Sequence, residues 1–184
     1  RNATASGTGI LTQNSTVFAG QSPAAGDWAQ ARYPGVRGNS VGVAYVTANG
    51  VSDGWQSSTF WKTNTESAPG TSAGAAAVGG SNDEIHLAVY DVTGVITGTV
   101  GTVMELWSYL SQASDVKGSD GSTLYYRDVI NAGSKWVFLG NHPAPLTDAG
   151  ESAVSNAFTR TTIRSQPLTG GIDDNALTVG ETTT

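Results

Sequence analysis

The sequence contains no cysteine among its 184 residues, and it contains only two histidines. The absence of cysteine excludes disulfide bonds, thiolate metal ligands and a cysteine nucleophile. No apolar run approaches the roughly 20 residues of a membrane-spanning helix. Nine lysines and arginines are scattered along a chain with 15 acidic residues, so the clustered cations that bind nucleic-acid phosphates are missing too. We therefore expect neither a membrane span nor a nucleic-acid partner.

Charged residues are also scarce, at 13% of the chain against about 25% in an average domain. Glycine is abundant with 24 residues, and it permits the positive φ angles that tight turns require. This composition is typical of β-rich extracellular or virion proteins, and it fits an assembly protein as well as a secreted one. Because the sequence starts at Arg1 rather than at a methionine, we expect a part of a longer polypeptide.

Two segments with alternating side chains predict strands. The first covers residues 41–46. In the second, residues 85–90, we expect Ile85, Leu87 and Val89 to share one face of a sheet. The polar residues before the second strand, Asn82-Asp83-Glu84, are interpreted as turn and strand-entry residues.

Three further strands are predicted with less regular patterns. Residues 103–110 fit both a helical stripe and an alternating strand with Met104, Leu106 and Leu110 on one face. The turn Thr93-Gly94 before them favours the second strand of a hairpin. Residues 136–139 are apolar on both faces, which predicts a central buried strand. A further strand is possible at residues 157–163.

Helices are predicted to be few and short. Residues 27–32 predict one helical turn that is capped by Asp27 and ends before Pro34. Residues 123–132 predict a helix with Gly133 at its C-cap position. The alanines and glycines of residues 73–80 predict a flexible or closely packed connection. Two dipeptides are typical of turns, Asn49-Gly50 and Asp53-Gly54.

These elements predict an α+β fold that is mainly β, either an antiparallel sheet or a two-layer β-sandwich with a few short flanking helices. We expect an irregular N-terminal segment over residues 1–26 and a β-rich domain over residues 27–167. A polar tail over residues 168–184 follows them.

The loop before the first predicted strand is the main candidate for a specific structural role. It is formed by Tyr33, Pro34, Gly35, Gly38 and Asn39. Pro34 sets its own φ, and the glycines permit conformations that are closed to other residues. We predict that these five residues fix the path of the chain into the strand at Val41.

The two histidines predict no catalytic centre. His86 lies inside a strand pattern, for which we expect a surface or rim position. His142 precedes Pro143 in a loop and has no nucleophile signature nearby. Neither Asn82-Asp83-Glu84 nor Asp173-Asp174 has the ligand spacing of a calcium loop. The sequence therefore predicts no metal site and no cofactor.

Acidic and aromatic residues leave two kinds of site open. Asp91, Glu105 and Asp128 are candidates for the carboxylate pair of a glycosidase, although nothing in the sequence brings any two together. Among the five tryptophans, Trp107 and Trp136 lie in apolar runs and are predicted to be core residues. Three tryptophans remain candidates for sugar-stacking platforms, namely Trp28, Trp55 and Trp61.

Several short segments together resemble the tail sheath protein of contractile-tailed bacteriophages of the T-even type, in the order found in that family. They cover much of residues 27–140 and a segment near the end. The matching segments are Ala31-Arg32-Tyr33-Pro34-Gly35 with Gly38-Asn39-Ser40, Ala68-Pro69-Gly70-Thr71-Ser72, Asn82-Asp83-Glu84-Ile85-His86, residues 97–105, 111–117 and 121–126, and Leu168-Thr169-Gly170-Gly171.

The resemblance implies a structural protein rather than an enzyme. It implies that residues 27–167 are the outward-facing middle domain of a sheath subunit, and that the polar tail leads toward a C-terminal core domain outside this chain. The expected partners are other sheath subunits in homo-oligomeric rings and a helical stack, with the tail tube and baseplate contacted by other parts of the protein. The expected location is the virion tail, after synthesis in the host cytoplasm.

Two alternative functions follow from the residues alone. A carbohydrate-binding or adhesive β-sandwich on a virion or cell surface predicts that Trp28, Trp55 and Trp61 are exposed and coplanar. A secreted hydrolase predicts a cleft that holds two carboxyl groups, at least one of them with a raised pKa.

Overall fold

A computed structural model describes residues 1–23, 26–48, 54–160 and 164–173. The predicted turn residues Asn49, Gly50 and Asp53 and the acidic residue Asp174 lie outside these ranges. The described elements are, in chain order, α1 (Ser15–Ala19), β1 (Ala29–Ala31), β2 (Val41–Thr47), α2 (Thr59–Asn64), α3 (Ala73–Ala77), β3 (Glu84–Asp91), β4 (Val103–Ser111), α4 (Tyr126–Gly133), β5 (Val137–Leu139) and β6 (Arg164–Pro167). Two short 3₁₀ turns, Val36–Ser40 and Trp55–Ser57, precede β2 and α2.

The strands form two antiparallel sheets. The larger sheet has the order β4-β3-β2-β6, and the smaller one pairs β1 with β5. In the larger sheet β2 pairs with β3 so that Val43 lies opposite Val89 and Tyr45 lies opposite Leu87. The hairpin of β3 and β4 is the one that the Thr93-Gly94 turn predicts. The α+β, mainly β fold class with antiparallel sheets and short helices is thus confirmed.

The main core lies between one face of the larger sheet and a layer formed by the smaller sheet and α4. Alternate residues of β2 and β3 point into it, as predicted, namely Val41, Val43, Tyr45, Ile85, Leu87 and Val89. Ile130 of α4 and Val137 of β5 meet them from the opposite layer. The other face of the sheet carries Ala44, Val46 and Ala88, which pack against Trp61 of α2. Both faces are covered, so every residue of β2 is buried.

Strand β4 confirms the strand prediction but not the predicted alternation of its faces. Two irregularities interrupt its pairing with β3, and Tyr109 has a φ of 56°. A bulge of this kind places two residues of one strand opposite one of its partner, so side chains change faces. Met104, Trp107 and Leu110 therefore pack toward the main core. Leu106, predicted to share that face, is 37% exposed.

The helical turn predicted for residues 27–32 is wrong, because Ala29–Ala31 forms strand β1. On one side β1 pairs with β5, and on the other Ala31 donates its N–H to the carbonyl of Ala3. These long-range backbone hydrogen bonds outweigh a weak local preference for helix. Asp27 does not cap a helix but accepts a hydrogen bond from the N–H of Ser6 at 2.9 Å.

Four other predictions of elements are corrected in part. Residues 73–77 form α3 rather than a connection, because alanine favours helix and Ser72 caps the N-terminus. Helix α4 ends at Gly133, and the C-cap is Ser134 rather than Gly133. Strand β5 is buried as predicted but is not central, since among the described strands it pairs only with β1. Within residues 157–160 there is no strand, whereas β6 begins after residues 161–163, which lie outside the described part.

The first and last described segments are paired with each other. Thr4 and Thr169 exchange backbone hydrogen bonds of 2.8 and 3.0 Å, and the N–H of Ile172 donates to the carbonyl of Arg1 at 3.1 Å. We call residues 168–173 the terminal strap, because they run back over the start of the chain. No helix within the described residues is long and apolar enough to cross a membrane.

Candidate functional site

The predicted structural loop lies at the end of the larger sheet where β2 begins. Gly35 has a φ of 111°, which side chains disfavour, and the 3₁₀ turn Val36–Ser40 then leads directly into β2. Gly38 is buried, and a Cβ there would lie only 3.1 Å from the Cβ of Ala31. Close packing therefore selects glycine at Gly38, whereas backbone conformation selects it at Gly35.

The loop binds the terminal strap through three hydrogen bonds. The N–H of Val36 donates to the Asp173 carboxylate at 2.8 Å. The side chain of Asn39 donates to the carbonyl of Gly171 at 3.0 Å and accepts from the N–H of Gly171 at 2.8 Å. The loop thus contacts the terminal strap as well as leading into β2, and the sequence did not reveal the contact that Asn39 makes.

A cleft of about 350 Å³ opens beside this loop. Its walls are mostly apolar, and Arg37 supplies its one charged side chain among the described lining residues, which are Ala31, Tyr33, Pro34, Arg37, Gly38, Val41 and Trp136. Tyr33 is 64% exposed and Trp136 is half-buried, so two aromatic side chains are available to a partner. We call this cleft the Tyr33 cleft.

The hairpin loop between β3 and β4 lies at the same end of the sheet. The buried Asp91 carboxylate orders it by accepting hydrogen bonds from the N–H groups of Gly94, Ile96 and Thr97 and from the Thr97 hydroxyl, at 2.7 to 2.9 Å. Burial opposes the ionisation of Asp91, but these hydrogen bonds outweigh it and lower the pKa of the carboxyl group. The Asp91 carboxylate thus orders the turn between β3 and β4.

At the opposite end of the sheet, Asp83 forms a buried network. Its carboxylate accepts hydrogen bonds from the N–H of Ser72 at 2.8 Å, from the Ser72 hydroxyl at 2.7 Å and from the Ser111 hydroxyl at 2.6 Å. The side chain is fully buried. One carboxylate therefore joins the start of α3, the start of β3 and the end of β4.

His86 is completely buried, so the predicted surface or rim position is wrong. The rings of Trp61 and Tyr109 cover it. Its Nδ1 accepts a hydrogen bond from the N–H of Tyr109 at 3.1 Å, so its Nε2 carries the proton and donates to the carbonyl of Ser67 at 2.9 Å. The neutral imidazole thus satisfies both partners and holds Tyr109 in its positive-φ conformation.

This arrangement predicts a dependence of stability on pH. Burial lowers the pKa of His86 from its ordinary value of 6.5, so the unfolded chain binds the proton more readily than the folded one. We expect the free energy of unfolding to be constant above about pH 6.5 and to fall as the pH decreases below it. Urea unfolding between pH 5 and 8 measures this.

The pH experiment needs a control because His142 contributes with the same sign. Burial and the charge of Arg127 both lower the pKa of His142. The variant His142→Gln removes that contribution, and we expect it to retain the part of the pH dependence that comes from His86. The double variant His86→Gln/His142→Gln should lose that part as well. Equal slopes in His142→Gln and in the double variant would show that His86 is not responsible.

The two remaining carboxylate candidates lie in different surroundings. Glu105 accepts hydrogen bonds from the Ser134 hydroxyl at 2.6 Å and from the N–H of Lys135 at 2.7 Å. Asp128 is exposed on α4. Within the described part of the chain, no three histidine or acidic side chains cluster so that they could hold a metal ion.

The structure contains one polar pair that the sequence did not predict. The hydroxyl of the buried Tyr126 lies 2.6 Å from Nδ1 of His142. Burial raises the pKa of Tyr126 strongly, so the phenol stays protonated and donates to the imidazole. The pair fixes the loop after β5 onto α4. Sixteen residues separate the two groups, and no motif connects them.

The tryptophans do not form the platform that a sugar-binding surface needs. Trp61 is fully buried, and Trp28 is 7% exposed with its ring edge-on to Tyr45. Trp55 is half-buried and donates its indole N–H to the hydroxyl of Thr65. Trp107 and Trp136, predicted to be core residues, are half-buried and pack against the margin of the main core.

The predicted structural loop, Tyr33 to Asn39, thus lies at one end of the sheet. The carboxylates of Asp91 and Glu105 take part in separate hydrogen-bond networks.

Comparison with protein-family models finds no family that matches the chain, and comparison with curated proteins finds no match either.

Proposed function

We propose that this chain is a structural subunit of a contractile phage tail sheath. It polymerises with other copies around the tail tube, and contraction of the assembly drives the tube through the host envelope. The observation that carries the proposal is that the short segments resembling sheath proteins, which are far apart in the sequence, bind one another in the fold.

Asp83 supplies the clearest example of this mutual binding. It belongs to the segment 82–86, and its carboxylate holds Ser72 of segment 68–72 and Ser111 of segment 111–117. The N–H of Ser111 in turn donates to the carbonyl of Leu124, in segment 121–126, at 2.7 Å. Four segments of the resemblance therefore form one connected network at one end of the sheet.

The opposite end of the sheet shows the same relation. Asn39, in the loop segment, exchanges two hydrogen bonds with Gly171 of the terminal strap. Segments that depend on one another physically are expected to persist together in a family, which supports the resemblance.

The described residues also suit a subunit that moves as a rigid body. The buried polar groups Asp83, Asp91 and His86 all fix turns or bulges, so their chemistry stabilises backbone shape. In such an assembly the driving force is the free-energy difference between two packings of unchanged subunits. The interactions that change would then lie on the exposed surface at the ends of the sheet.

Electron microscopy of the purified full-length protein tests the proposal. We expect tubes built from stacked rings, in either an extended or a contracted helical arrangement. A variant that carries Asp83→Asn in the same full-length protein, checked for its folded fraction, controls for nonspecific aggregation. A full-length protein that stays monodisperse at high concentration, with and without added tail tube, would contradict the proposal.

A further inference from the structure

We propose that neighbouring copies of this chain contact each other head to tail. The exposed Val154 of one copy, with the acidic side chain of Glu151 beside it, would enter the Tyr33 cleft of the next copy, where Arg37 lies. This inference rests on the proposed function, because it names the surfaces through which the sheath subunits would meet.

The receiving surface is the Tyr33 cleft described above. Its apolar walls, including Tyr33, Pro34 and Trp136, leave hydrophobic surface exposed to water. No carboxylate is among the described residues that line it, so the guanidinium of Arg37 lacks an acidic partner there. Tyr33 and Val36 are two of five large apolar residues exposed on the loops and terminal strap at this end of the sheet, with Val95, Val100 and Ile172. Exposed apolar residues grouped in this way mark interaction surfaces.

The inserting surface lies on residues 151–156, which we call the Val154 loop. Val154 is 64% exposed, and Val78 beside it is exposed as well. Hydrogen bonds to the rest of the fold fix the conformation of this loop. The Asp115 carboxylate accepts hydrogen bonds from the Ser152 hydroxyl at 2.7 Å and from the N–H of Ala153 at 2.9 Å. The N–H of Ser155 donates to the carbonyl of Val78 at 3.2 Å. A fixed loop loses little conformational entropy when it binds.

The charges of the two surfaces are complementary, which favours a second copy over an unrelated molecule as the partner of the cleft. Val154 is accompanied by the exposed carboxylates of Glu151 and Asp115, and hydrogen bonds from Ser152 and Ala153 lower the pKa of Asp115. The cleft presents the complementary pattern, an apolar recess with a cation. Complementary charges fix the register of an interface and disfavour wrong partners. A symmetric contact of two clefts would instead place Arg37 against Arg37.

The two surfaces lie at opposite ends of the larger sheet. The cleft is formed where β2 begins, at Val41, whereas the Val154 loop is bonded to Ser81 and Val78, just before β3 begins. The seven residues of β2 separate these ends by about 20 Å. A contact between unlike surfaces on opposite ends repeats in one direction and does not close on itself in a dimer. It therefore builds a line or a ring of subunits.

A charge exchange in the full-length protein tests the contact. We expect Arg37→Glu alone and Glu151→Arg alone each to raise the concentration at which polymers appear by about tenfold or more, since each places like charges together. The protein that carries both substitutions should polymerise nearly as well as the wild type. The urea midpoints of all three variants should equal that of the wild type, because both side chains are exposed.

A cross-linking experiment separates this inference from the proposed function. The chain has no cysteine, so Val36→Cys and Val154→Cys each introduce a single thiol. A short bis-maleimide should join the two variants when they are mixed, and should join neither variant to itself. Tubes that form normally in both single charge variants would overturn the head-to-tail contact and leave the sheath proposal standing. Cross-linking of the mixture without tubes would support the contact and contradict the sheath proposal.

Discussion

The variant Asp83→Ala should lose about 3–5 kcal/mol of the free energy of unfolding. The substitution removes a fully buried carboxylate and leaves the N–H and hydroxyl of Ser72 and the hydroxyl of Ser111 without their acceptor. Urea unfolding followed by circular dichroism measures the loss.

Two further variants show whether the burial of the Asp83 carboxylate causes the loss of stability in Asp83→Ala. Asp83→Asn retains one acceptor oxygen and should lose less stability than Asp83→Ala. Asp120→Ala is the matched surface control, because Asp120 also accepts hydrogen bonds from a serine hydroxyl and N–H but is exposed. We expect no measurable change in its urea midpoint. If Asp83→Ala unfolded at the same urea concentration as Asp120→Ala, the network would have no importance for stability.

The central strands could be predicted from the sequence because each has two different environments. In β3, Ile85, Leu87 and Val89 face the main core, and the alternate residues face α2. That difference produces an alternation that is visible without any knowledge of the partner strand. The hairpin could be predicted for a similar reason, since the Thr93-Gly94 turn is local.

Elements that depend on distant partners were missed. Strand β1 has only three residues, and its hydrogen-bond partners lie at Ala3 and more than 100 residues later in β5. Strand β6 is also short and mostly exposed, so no apolar pattern marks it. The burial of His86 depends on Trp61, which comes from a helix on the far face of the sheet. Short-range patterns carry no information about such contacts.

The candidate surfaces were predictable to different degrees. The loop around Gly35 has a local signal in the sequence, because proline and glycine restrict or permit particular backbone conformations. The Tyr33 cleft was not predictable, because Trp136 reaches it from a position about a hundred residues away in the sequence. The Val154 loop had no signal at all, since a single exposed valine is ordinary in any surface loop.

Gly35→Val should destabilise the fold by about 3 kcal/mol, from backbone strain together with the displacement of the Asp173 carboxylate. Gly35 has φ and ψ of 111° and 169°, a region that is essentially restricted to glycine. A Cβ at this position would also lie 2.5 Å from an oxygen of Asp173, so the carboxylate must move away from the N–H of Val36. The terminal strap would then lose one of its hydrogen bonds to the loop. Urea unfolding of the variant measures the effect.

The contribution of the strap can be separated from that of strain by comparison with Gly98→Val. Gly98 has a φ of 89°, but a Cβ there would meet no atom within 4 Å, so its substitution should cost about 1 kcal/mol from strain alone. The excess in Gly35→Val should appear as increased proteolysis within residues 168–173, because that segment is the one released. If both variants lost the same free energy of unfolding and the terminal strap stayed protected from proteolysis, the loop would have no effect on the position of the strap. An excess loss with an exposed strap would show that Gly35 joins the start of β2 to the end of the domain, and so fixes the shape of the surface that holds the Tyr33 cleft.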